Sequence, residues 1–184
     1  MAHGFLVEDG SGITNATSYI AIVNADENFE DTGRNAAWKA FSLGQRQTAL
    51  IAGARYMDQV YGSRYVGDIA AATAATQGLL WPRDNVYSPR TGELLASSAI
   101  PAVIGQANAE FALAYLQSGD GNFYGANDSQ AQTVTEKTVR VEGAVMKSEK
   151  FGRGGSVARR RRYPLAEALL SNYVTATQSR VIRA

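Results

Sequence analysis

The sequence predicts a mainly α protein: a small bundle of about four helices, with a β-hairpin arm and an extended C-terminal segment. Three observations lead there. Apolar residues recur at helical spacing through 43–61 and 100–114. Capping residues and glycines punctuate those stretches where a helix should begin or end. After residue 133 the pattern turns strand-like, broken once by Glu142-Gly143. At 184 residues, 45% of them hydrophobic, the chain can bury a core of its own.

Taken in order, Phe5-Leu6-Val7 leads into a loop at 8–12, and 18–23 is β-prone. Asn24 has the form of an N-cap, with Glu27 completing a capping box and Asp26 and Glu27 in the first turn. Gly33 suits the C′ position, so a helix is expected over 25–32. Residues 36–41 read as a short turn carrying two aromatic anchors, Trp38 and Phe41. Ser42 with Gln45 repeats the box and opens a longer helix from Leu43 to about Tyr61. Its stripe is Leu43, Leu50, Ala54, Met57 and Tyr61, and Gly62 ends it. Residues 70–76 fit a helical turn or a loop, and Leu79-Leu80-Trp81-Pro82-Arg83 is an apolar knot stopped by proline. Pro101 suits the first turn of the next helix, whose apolar face is Ile100, Ile104, Ala107, Phe111 and Ala114. It ends near Gly119, and 118–132 reads as an exposed loop.

Val134, Val139, Val141 and Val145 mark a hairpin whose second arm runs to Phe151. Gly152-Arg153-Gly154-Gly155 reads as a hinge, and Tyr163-Pro164 opens a last helix through Leu165, Leu169, Leu170 and Tyr173. The organisation is a helical core at 1–120, a loop, hairpin arm and basic linker at 121–163, and a C-terminal helix and tail at 164–184. An isolated two-stranded hairpin is marginal in water, so the arm is expected to pair with another subunit.

The inventory argues against an enzyme. No cysteine is present, which removes disulfides, Fe–S clusters and thiol nucleophiles, and the single histidine is His3 near the start. No metal site, cofactor or catalytic constellation is expected. The acid pairs Asp26/Glu27 and Glu30/Asp31 read as helix cap and exposed face, and Trp38 and Trp81 as core anchors. No segment is apolar for long enough to span a membrane, and the opening Met1-Ala2-His3-Gly4 is unlike a signal peptide, so a soluble, non-secreted protein is expected.

Charge is nearly balanced overall but not along the chain. Residues 1–33 hold six acids and no Lys or Arg, a net −6; 34–136 hold seven bases and eight acids, a net −1. Residues 137–184 hold eleven bases and three acids, a net +8. An acidic start and a basic end could form a head-to-tail contact between identical subunits, though taken alone they read first as two solvated surfaces. The strongest local signal is Arg159, Arg160, Arg161 and Arg162 behind the glycine-rich segment. Phosphate would satisfy that run with salt-dependent binding, and Tyr163 with Arg153 would add stacking and charge for a single strand. An acidic protein surface, or water, would satisfy the same four arginines.

Several segments together carry a resemblance. They are Val7-Glu8-Asp9-Gly10-Ser11-Gly12, Asn15-Ala16-Thr17-Ser18-Tyr19-Ile20, Ala25-Asp26-Glu27-Asn28-Phe29 and 49–58. Gln77-Gly78-Leu79-Leu80-Trp81-Pro82-Arg83, Ile100-Pro101 with Glu110, 145–150 and Tyr163-Pro164 follow in order. The chain is similar over most of 5–173 to a tailed-phage family labelled DnaT-like single-stranded-DNA-binding. In size and helical layout it also resembles the head-completion adaptors that extend a phage portal ring. The adaptor resemblance implies a structural virion protein in a homo-oligomeric ring, usually twelve-fold, beneath the portal. Such a ring joins capsid to a tail or neck protein and surrounds the channel through which genomic DNA passes. In that setting Arg153, Arg159, Arg160, Arg161 and Arg162 would meet the portal, a subunit or DNA. Val139, Val141, Val145, Lys147 and Lys150 would form the arm that reaches a neighbour. The family's label implies instead a replication accessory that binds single strands in the infected cell.

Overall fold

The computed structural model describes residues 4–119, 123, 134–140, 146–151 and 162–175. The chain falls into two compact units, Met1–Gly121 with Tyr163–Ala184, and Asn122–Arg162. The fold is mainly α with a small β-hairpin, as the sequence predicts.

The first unit opens on an extended segment in which Val7 and Ser18 form an isolated parallel bridge. Helix α1 then spans Ile22–Asp31, so it begins before the Asn24 box and takes over the last two residues of the β-prone stretch. Its N-cap is Ala21, no side chain caps it, and no acid lies in its first turn. The cap expectation fails because Ser18 and Tyr19, just upstream, are fixed by interior hydrogen bonds described below. Those contacts set the entry of the chain and outweigh a side-chain cap worth about 1 kcal/mol. The other end follows the expectation. Gly33 has φ 69°, its N–H donates to Glu30 O at 3.0 Å, and Arg34 N–H donates to Phe29 O at 2.7 Å. That pair is a Schellman closure, and it requires the left-handed residue glycine supplies.

Helix α2 (Asn35–Lys39) buries Trp38 completely, its ring 4.8 Å from that of Phe29. Phe41 is half-buried. Helix α3 (Leu43–Tyr61) starts at the predicted box, with Ser42 and Gln45 bonding reciprocally. Leu50, Ala54, Met57 and Tyr61 are buried as the stripe requires. Leu43 departs from it, 52% exposed, because it precedes Ala49, the first buried position of the helix. A 3-10 turn over Gly62–Arg64 follows. Two short antiparallel strands, β1 (Asp68–Ile69) and β2 (Arg83–Asp84), bracket the turns at 70–76 and the apolar knot. Leu79, Trp81 and Arg83 are buried there, and the Trp81–Pro82 peptide is cis.

Helix α4 (Ala102–Gln117) has Pro101 at its N-cap, one residue before the expected first turn. Every residue from 107 to 113 is buried, so α4 has no single apolar face; it is the central helix. It packs against α1, α3 and α5 (Pro164–Leu170). Leu170 and Tyr173 are buried, whereas Leu165, in the first turn of α5, is 52% exposed. Beyond α5 the chain returns along 64–66: Val66 N–H donates to Tyr173 O and Thr175 N–H to Arg64 O.

The second unit contains the hairpin of β3 (Val134–Arg140) and β4 (Met146–Phe151), antiparallel, with a register shift between Val134 and Glu136. The expected Glu142-Gly143 turn lies outside the described residues.

One polar side chain sits inside the bundle. Asn108, in α4, is fully buried. Its Oδ1 accepts from Tyr19 N–H and Ser18 Oγ, each at 3.0 Å, and its Nδ2 donates to Leu50 O at 2.9 Å. Gly53 in α3 faces it: a Cβ there would lie 2.8 Å from Asn108 Nδ2, 3.0 Å from Asn108 O and 3.2 Å from Ala112 N. Two of those atoms are backbone and cannot step aside. Gly53→Ala gains about 1 kcal/mol of helix propensity, but overpacking costs about 1–3 kcal/mol. Urea unfolding should therefore show Gly53→Ala less stable than wild type. Gly44→Ala in the same helix, where nothing lies within 4 Å of the added Cβ, should gain about 0.5 kcal/mol.

Candidate nucleic-acid interface

The basic third was the expected contact surface, and part of it is described. In the hairpin, Val139 pairs across with Lys147, and Lys150 with Glu136. Arg162 is exposed. Val141, Val145, Arg153, Arg159, Arg160 and Arg161 lie outside the described residues. Tyr163 does not serve as a stacking platform beside the arginines. Its ring packs edge-on against Tyr56 at 5.6 Å and Phe111 at 5.4 Å, within the first unit.

Arg34, Arg46 and Arg83 of the first unit are committed to internal partners, while Arg55 and Arg90 are exposed. Arg34 makes a bidentate pair with the Glu110 carboxylate and lies over the Phe29 ring. Arg46 pairs with Asp26 and lies over Trp38, whose Nε1 donates to the same carboxylate oxygen at 2.6 Å. Asp26 thus ties α1 to α2 and α3 and is not a helix cap. Arg83 donates to the carbonyls of Val66, Gly67 and Leu80. Aromatic surface is equally scarce: both tryptophans are fully buried, as expected of core anchors, and Tyr87 is the aromatic ring most open to solvent among the described residues.

The first unit instead presents an acidic groove of about 410 Å³. Asp9 of the N-terminal loop, Glu27 and Asp31 of α1, and the start of α4 line it, with no Lys or Arg. Glu8 also lines it, its carboxylate accepting from the N–H groups of Gly10, Gly12 and Ile13 at 2.8–2.9 Å. A single strand meeting this groove would meet like charge. Among the described residues no group of three His, Asp or Glu is placed to hold a metal ion. None of their helices is long and apolar enough to cross a membrane.

A second network holds the apolar knot. Tyr19 Oη donates to Asp58 Oδ1 at 2.6 Å, and Leu80 N–H approaches both Tyr19 Oη (3.0 Å) and Asp58 Oδ2 (3.1 Å). Burial pushes the Asp58 carboxyl from 3.8 up to about 6, against the lowering effect of these hydrogen bonds and of nearby Arg83. Burial likewise raises the Tyr19 and Tyr65 hydroxyls well above their ordinary value. The groove residues do not include Asp58, and its oxygens are occupied by the chain itself, so its role is to fasten 79–83 to α3.

A family described as "Putative DnaT-like ssDNA binding protein" matches residues 3–184. The chain belongs to this family. No curated protein and no solved structure matches it. The first half of the resemblance read from the sequence is thereby shown, and with it a DNA-binding description for nearly the whole chain.

Sequence reasoning singled out the basic third by its charge and missed both the groove and Asp58. The groove joins residues 8–9, 19–20, 24–31 and 100–106, which only the fold brings together. Asp58 follows Met57 on the buried side of α3 and offered one signal, an acid next to an apolar stripe position. Its raised pKa sets the sign of a pH effect. The folded chain binds this proton more tightly than the unfolded chain does, so the stabilisation is complete below about pH 4 and is lost as pH rises through about 6. Thermal unfolding should show wild type more stable at pH 5.2 than at pH 7.2. Asp58→Asn should flatten that difference; an unchanged difference would locate the titration elsewhere.

Proposed function

We propose that the chain binds single-stranded DNA through its basic C-terminal third, without catalysis. The reading is supported by membership of a family described in those words over residues 3–184. It is also supported by the distribution of charge: the net +8 of residues 137–184 contrasts with an acidic groove in the first unit, where Arg34 and Arg46 are internally paired. Binding of this kind is driven by counterion release from phosphates and carries little sequence preference. With Tyr163 packed inward, charge and not stacking would dominate.

A second reading is favoured by one observation, the acidic groove in the first unit against the basic run at 153–162. Opposite charge on two different patches suits a heterologous contact, which closes into rings. On this reading the chain is a head-to-tail adaptor in the virion, a homo-oligomeric ring under the portal that meets a tail or neck protein and surrounds the DNA channel. Quantitative mass spectrometry of purified particles would then return this chain near one to one with the portal protein. Absence from particles would remove this reading.

The leading reading is checked by fluorescence anisotropy on a labelled oligo-dT across a salt series. Each phosphate contact on a single strand contributes about 0.7 to the slope of log K against log salt. Replacing Arg159, Arg160, Arg161 and Arg162 with Ser should lower the slope by about 3 and weaken binding strongly at low salt. Equal affinity and slope in the two proteins would refute it.

A further inference from the structure

The acids of α1 are placed where the helix itself gains nothing from them. Because α1 begins at Ile22, none lies in its first turn, where the dipole would favour them. Glu30 and Asp31 fall instead in the last turn, where carboxylates are unfavourable and no cation accompanies them. Glu27 and Asp31 are also spaced i,i+4, so that two like charges are neighbours on one face. Asp26 alone is satisfied, by Trp38 and Arg46. The remaining acids stay exposed, and Glu27 and Asp31 line the groove together with Asp9, with no cation in its lining. Among the described residues no salt bridge reaches Asp9, Glu27 or Asp31.

The groove therefore concentrates negative potential in a concavity of about 410 Å³, and the chain supplies its own complement. Residues 150–163 hold six bases and no acid. An arginine is well suited to an acidic recess, since its planar donors pair with carboxylates bidentately. We propose that this groove receives residues 153–162 of a second copy of the chain, in a head-to-tail contact between two different patches. The inference stands apart from single-strand binding and supplies the contact that a ring would use. Because the two patches differ, each molecule offers one free groove and one free segment after pairing, and association can continue.

The test uses two full-length variants. Glu27→Gln/Asp31→Asn removes the groove's charge with little change of shape, and it relieves an i,i+4 repulsion. Its thermal midpoint should equal or exceed that of wild type, which establishes that it folds. The second variant replaces Arg153, Arg159, Arg160, Arg161 and Arg162 with Ser. By sedimentation velocity at low salt, wild type should associate with concentration, and each variant alone should stay monomeric. Mixed, the two should form a heterodimer and nothing larger, since only one intact groove and one intact segment remain per pair. A monomeric wild type, association of the groove variant like that of wild type, or a mixture that stays monomeric would each overturn the proposal. The last result would leave the segment bound within its own chain or in water. Oligo-dT anisotropy on the groove variant separates this outcome from the DNA reading, because that variant keeps every arginine.

Discussion

The first unit depends on one buried amide. Asn108 accepts from Ser18 and Tyr19 and donates to Leu50, so a single side chain joins the N-terminal segment, α3 and α4. An amide buried without partners would destabilise the fold by a few kcal/mol, and here both ends of the group are satisfied. The same geometry explains why the facing residue of α3 is Gly53: the two helices approach too closely at this level for a side chain. From Tyr19 the connection continues outward. Its N–H is held by Asn108, its hydroxyl by Asp58, and Asp58 with that hydroxyl holds the backbone of Leu80. Arg83 then closes the knot on the carbonyls of Val66, Gly67 and Leu80. A continuous path of hydrogen bonds thus runs from the central helix to the cis-proline loop. Tyr19 and Ile20, fixed at its start, are also lining residues of the acidic groove.

Electrostatics divide the chain by role. In the first unit Arg34, Arg46 and Arg83 are structural: each has its acid or carbonyls, and Arg34, Arg46 and Arg83 also lie over aromatic rings. Partly buried pairs of this kind fix geometry more than they add stability. The cations outside such pairs are concentrated after residue 136, where acids are few. A net charge of +1 conceals this separation. Whatever binds the basic third, whether phosphate or carboxylate, meets a local field far stronger than that average implies.

Elements whose signals are local were legible in the sequence. Ser42 and Gln45 bond to each other's backbone, so their spacing alone located the start of α3. Gly33 closes α1 through the two residues around it, and both strands of the hairpin fall within the strand-like stretch. Asn24 and Glu27 carry the same local signal as Ser42 and Gln45, yet form no cap. There the chain direction is set by Asn108, more than eighty residues away, and no local pattern reports it. Apolar stripes located the core but not its rim: Leu43 and Leu165 continue their stripes in sequence, while the packing they would join starts further along each helix. Of the candidate contact residues the sequence identified the charge; the acidic groove was invisible because separated segments build it.

The misplaced acids of α1 and the committed arginines of the first unit have one consequence in common. If residues 153–162 pair with the groove of a neighbour, the arginines that would neutralise phosphate are occupied by carboxylates. The two contacts then draw on the same cations, and linkage requires each to weaken the other by the same factor. DNA would loosen subunit contacts, and assembled subunits would hold DNA less tightly than single ones. Both contacts would also weaken with salt, because both are made by exposed charges. The choice between them would rest on which polyanion is present at higher effective concentration. For a subunit already in an oligomer that is the neighbouring groove, and for a free subunit among exposed single strands it is phosphate.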